Sequence, residues 1–66
     1  MSISYDNLWK ILINKKINRS DLKEAAGISF NVLARMGRNE TVSMDSLMKI
    51  CRALKCDIGD IMEIKY

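Results

Sequence analysis

Asn31 and Arg35 stand one helical turn apart in the stretch Ser29-Phe30-Asn31-Val32-Leu33-Ala34-Arg35-Met36. Leu33 and Met36 make an inner stripe at helical spacing, which leaves Phe30, Asn31, Ala34 and Arg35 on the outer face. An amide and a guanidinium placed this way are hydrogen-bonding forks, suited to reading paired donors and acceptors on a partner. The rest of the chain offers no catalytic set beside them. There is no His for acid–base work near neutral pH. The carboxylates fall at helix starts or in loops, where capping accounts for most of them. Cys51 and Cys56 have no His partner and supply too few ligands for zinc, so they are expected to be buried, reduced thiols. The three scattered glycines form no phosphate loop. No enzyme activity, metal, cofactor or small-molecule substrate is expected.

The outer face needs a scaffold, and the preceding residues provide one. Asn18 is suited to N-cap a short helix, with Asp21 at its third position to satisfy orphan N–H groups at the positive end. Leu22, Ala25 and Ala26 recur at helical spacing, and Gly27 stands where a left-handed stop is wanted. Ile28 supplies the hydrophobic contact after that stop. Ser29 then caps a second helix ending near Gly37. Two helices this short share a core only by crossing steeply, which is the geometry of a helix-turn-helix.

Three stretches extend the pattern: L-x-x-x-A-G-I-S across the turn, V-S-M-D-S-L-M-K-I-C-R-A-L after it, and C-D-I-G-D-I-M near the end. Together they resemble the phage-repressor and Cro type of DNA-binding domain, also called Xre-like, from about Leu8 to Met62. The resemblance implies an all-α, compact five-helix fold of the lambda-repressor-like type, with the second and third helices forming the helix-turn-helix. It also implies base contacts from Ser29, Phe30, Asn31 and Arg35. Asn31 pairs bidentately with adenine in this scheme, Arg35 pairs with guanine, and Phe30 presses on a thymine methyl. Arg19 at the start of the second helix, with Arg38 and Asn39 in the following loop, would clamp phosphates. Two positions depart from the pattern. Lys23 stands where the family usually has a small residue. Gly37 and Leu12 stand where it often has a Glu and an Arg that pair, so apolar packing is expected to replace that pair.

Sixty-six residues with 48% hydrophobic content make one small domain, residues 1–66. The net charge of +3 says little, but its distribution says more. Residues 1–39 hold seven Lys/Arg against three Asp/Glu, whereas residues 40–66 hold four against five. The basic half coincides with the helix-turn-helix, as an anionic partner requires. No leader pattern precedes the first helix, and no apolar run reaches the ~18 residues of a membrane span, so a cytoplasmic location without membrane association is expected.

The first helix is expected from Tyr5 to Asn14, capped by Ser4. Its stripe is Tyr5, Leu8 and Leu12, widened by Trp9, Ile11 and Ile13. Ser43 should cap a fourth helix that buries Met44, Leu47, Ile50, Cys51 and Leu54. Asp57 should cap a short fifth, Ile58 to Met62. The alternating tail Glu63-Ile64-Lys65-Tyr66 is free to pair with the Ser2–Tyr5 segment or with a second subunit. Trp9, Ile61, Met62, Ile64 and Tyr66 look like surplus apolar surface for a homodimer.

The function expected from these features is sequence-specific binding of double-stranded DNA. A homodimeric transcriptional regulator, a repressor, would place its third helix in the major groove of a palindromic operator. The competing expectation is a protein-binding adaptor or antitoxin that uses Phe30, Val32 and Trp9 as an apolar contact surface.

Overall fold

Short polar side chains decide where most of the helices begin. The computed structural model describes residues 1–66 as α1 (Asp6–Lys15), α2 (Arg19–Ala26), α3 (Phe30–Gly37), α4 (Met44–Leu54) and α5 (Ile58–Ile61). Two short strands flank them, β1 (Ser2–Ser4) and β2 (Glu63–Lys65). Asn18 Oδ1 accepts from the Asp21 N–H at 2.8 Å, and Asp21 Oδ2 accepts from the Asn18 N–H at 3.3 Å, closing a capping box. Ser29 Oγ accepts from the Val32 N–H at 3.3 Å, and Ser43 Oγ from the Ser46 N–H at 3.1 Å. Asp57 and Asp60 repeat the capping box at α5. Between α2 and α3, Gly27 adopts φ 71°, and the N–H groups of Gly27 and Ile28 both bond Lys23 O. Glycine enters the left-handed region without a Cβ clash, so this stop re-aims the chain into α3 at little strain.

The helices enclose one apolar cluster containing Leu8, Leu22, Leu33, Met36, Leu47, Ile50, Leu54 and Ile61 among its members. Packing of α1 and α4 on α5, and of α2 on both α3 and α4, builds it. The five expected helices are present. The chain adds to them a small antiparallel ribbon, with Ser2 opposite Lys65, Ile3 opposite Ile64 and Ser4 opposite Glu63. Of the two fates open to the alternating tail, the one taken within a chain is pairing with its own N-terminal segment. Three paired residues per strand carry too weak a periodic signal to decide this locally.

Several local expectations are corrected. α1 begins one residue later than expected, because Tyr5 occupies the N-cap position without a side-chain cap; Ser4 Oγ still accepts from the Asp6 N–H at 3.2 Å. Ile13 is 74% exposed, since the six-residue apolar stripe expected of α1 is wider than its neighbours can cover. Ala25 is likewise exposed. Met44, at the first position of α4, is 59% exposed and does not join the buried face. Ile61 is fully buried and not surplus, drawn in where α5 meets α1 and α4. Gly37 does not stop α3. It is the last helical residue, and Asn39 takes the left-handed conformation instead, at φ 56°.

Cys51 and Cys56 are free and half-buried, where burial was expected for both. The Cys56 N–H bonds Cys51 O at 3.0 Å across the end of α4, bringing the two residues together. Burial, with the neighbouring thiol and carboxylates, pushes the Cys51 thiol up to about 11; burial raises Cys56 as well. A raised thiol pKa lowers the thiolate fraction, and the thiolate is the nucleophile. Both residues should therefore react with iodoacetamide at pH 7 more slowly than free cysteine, and denaturation should abolish the difference. Equal rates in the folded and denatured chain would refute this placement.

Candidate nucleic-acid interface

The face that sequence assigned to recognition is the face the fold leaves open. On α3, Leu33 and Met36 are buried at 2% and 0% exposure, whereas Phe30 is 67% exposed and Asn31, Ala34 and Arg35 are also exposed. No carboxylate lies on this helix. Ser29 spends its oxygen on the Val32 N–H, and its hydroxyl proton remains available to donate. Arg35 and Asn31 border one groove with Thr41, Val42 and Ser43. Arg35 also borders a second groove with Asn39, Glu40, Met1 and the ribbon residues Ile3 and Ile64.

The three residues assigned to phosphate meet near the C-terminal end of α3, but in different circumstances. Arg38 Nε donates to Glu40 Oε2 at 2.7 Å, and this bond holds the Glu40 carboxyl below the usual carboxylate range. Both side chains are well exposed, so the pair is weak and open to exchange with another anion. Asn39 Oδ1 accepts from the Tyr5 N–H at 3.4 Å, leaving its amide N–H groups to donate outward. Arg19 has no carboxylate partner among the ion pairs of the chain. Its guanidinium lies 3.9 Å from the centroid of Trp9. Arg19 also approaches Gly37 so closely that a Cβ there would stand 3.2 Å from Nη1. The position expected to hold apolar packing in place of a Glu–Arg pair is thus approached by an arginine.

Two further residues gain importance that the sequence did not disclose. Tyr5 is fully buried, and its hydroxyl donates to Glu40 O at 2.8 Å. Burial pushes its pKa up, and the bond fastens the loop after α3 to the start of α1. Only its place in an apolar stripe was legible; the loop contact spans 35 residues. Lys23, the departure from the family pattern, leaves the α2–α3 packing in place. Its stem is half-buried and its ammonium lies 6.0 Å from the Phe30 ring, next to the first turn of α3. No helix in the chain is long and apolar enough to cross a membrane.

Comparison with known proteins identifies the family and the fold. Residues 7–65 match the family model of the Cro/C1-type HTH DNA-binding domain. The chain is 31% identical over 61 residues to YozG of Bacillus subtilis (strain 168), described as an uncharacterized HTH-type transcriptional regulator. That match covers 89% of this chain and 73% of YozG. The crystal structure of the transcriptional regulator VanUg superposes with a TM-score of 0.89 at 45% identity, covering 94% of this chain and 83% of VanUg. A family model spanning nearly the whole sequence, and a structural match of this closeness, leave one assignment: the chain belongs to the Cro/C1-type helix-turn-helix DNA-binding family of transcriptional regulators.

Proposed function

We propose that this protein is a sequence-specific regulator, a repressor, that inserts α3 into the major groove of a palindromic operator. The observation that carries the reading is the division of α3 into a buried side and an exposed, carboxylate-free side bearing Asn31 and Arg35. The major groove admits an α-helix, and its base edges present the donor and acceptor patterns that these two side chains complement. In this reading Ser29, Phe30, Asn31 and Arg35 contact bases, while Arg19, Arg38 and Asn39 hold phosphates. The protein acts in the cytoplasm without a cofactor or catalytic step. Binding is as a homodimer with recognition helices about one DNA turn apart. Met1, Ile64 and Tyr66, exposed on and beside the terminal ribbon at 92%, 52% and 98%, are apolar groups available to build its interface.

The adaptor reading loses support from the same geometry. Of its three apolar residues, Trp9 is covered by Arg19 and Val32 is half-buried, so only Phe30 remains open. Selection of bound fragments from random duplex DNA tests the proposal. One enriched, two-fold symmetric sequence, with retention that falls steeply as salt rises, is the expected result. Early elution from a DNA column at low salt, with no enrichment, would discard it. Sedimentation of the free protein across micromolar concentrations tests the dimer separately.

A further inference from the structure

Arg19 is held differently from the other exposed arginines. Its guanidinium carbon lies over the half-buried indole of Trp9, 3.9 Å from the ring centroid, and its Nη1 group comes close to Gly37. Gly37 is helical and has no positive φ to demand glycine, and a Cβ there would crowd the tip of the Arg19 side chain at 3.2 Å. We propose that Trp9 is a positioning residue for DNA binding, holding the Arg19 guanidinium against its ring near the C-terminal end of α3 so that its N–H donors are ready for a backbone phosphate. The role rests on the DNA-binding reading above.

The physical basis is the geometry of the guanidinium. Its five N–H donors lie in the plane of the group, so stacking one face on a ring leaves them free to bond an anion. An unrestrained arginine loses rotamer freedom when it grips a phosphate; one already held against a ring loses less. The contrast is with Arg38, which must exchange Glu40 for a phosphate before it can serve. Trp9 thereby connects α1, which bears none of the assigned contacts, to the site through α2.

A double-mutant cycle on a short random-sequence duplex tests this. Trp9→Leu should weaken binding about threefold to tenfold, the worth of pre-ordering one long side chain. Trp9→Phe, which retains an aromatic face, should lose less. Arg19→Ala should weaken binding and reduce the salt slope by about 0.9. Adding Trp9→Leu to Arg19→Ala should then cost nothing further. Equal losses from Trp9→Leu in both backgrounds would assign Trp9 to the fold alone and overturn the proposal, as would no loss from a Trp9→Leu protein of parental helicity. If Trp9→Leu fails to fold, Arg19→Lys decides. Lysine keeps the charge without the planar face, so it should bind more weakly than the parent with an unchanged salt slope, and equal affinity would refute the stack's role. Parental protein that ignores the duplex at low salt would instead defeat the DNA-binding reading itself, an outcome distinct from binding with an uncoupled cycle.

Discussion

Replacing Leu33 by Ala is expected to destabilise the fold by about 2–5 kcal/mol, the range for truncating a buried leucine. Leu33 is 2% exposed and belongs to the same cluster as Leu22, Met36, Leu47 and Leu54. α3 has only eight residues, of which Leu33 and Met36 are the two buried ones. A helix shorter than about 12 residues is marginal in water, so α3 exists because that side docks. Small folds hold only ~5–15 kcal/mol against unfolding, and one this short lies toward the lower end. Leu33→Ala should thus leave a large unfolded fraction and remove DNA binding without touching any binding side chain. Phe30→Ala on the same helix is the control. With 67% of that residue exposed, its truncation should shift stability by no more than about 0.5 kcal/mol. Urea titration followed by circular dichroism measures both. A Leu33→Ala protein that melts within a degree or two of the parent would show that α3 is not anchored through this residue.

What sequence could disclose followed the range of the interaction. Caps act over three residues, so Asn18 with Asp21, Ser29, Ser43, and Asp57 with Asp60 all stand where side-chain chemistry put them. Gly27 was legible for the same reason, as was the inner stripe of Leu33 and Met36. Width was harder to read. The stripes of α1 and α4 predicted burial of Ile13 and Met44, yet periodicity states which way a residue points and not whether a neighbour reaches it. Contacts across long separations were invisible. Tyr5 bonding Glu40 and Trp9 receiving Arg19 join segments that no local pattern pairs. The candidate interface was therefore legible on α3, where one helix presents it. It was less so around the residues proposed to hold phosphate, where Glu40 occupies Arg38, and Trp9 and Gly37 lie against Arg19.

Arg35→Ala and Arg38→Ala should separate base recognition from phosphate binding. Arg35 is exposed on the outer side of α3, one turn beyond Asn31, and has no ion-pair partner. If it grips a guanine bidentately, its truncation should cost about 1–3 kcal/mol on the selected operator and relax preference at one base position. Loss on random DNA should be smaller, because the base contact contributes nothing there. Arg38 begins bound to Glu40, so contacting phosphate exchanges one exposed ion pair for another. Arg38→Ala should weaken operator and random DNA by the same factor and reduce the salt slope by about one unit. Glu40→Gln supplies the opposite sign, since it frees Arg38 and removes a negative charge beside the groove, and binding to both DNAs should tighten. Titrations of each variant against both duplexes at several salt concentrations measure all three effects. Identical behaviour of Arg35→Ala and Arg38→Ala on the two DNAs would mean that Arg35 reads charge and not sequence, and base recognition would then have to come from Ser29, Phe30 and Asn31.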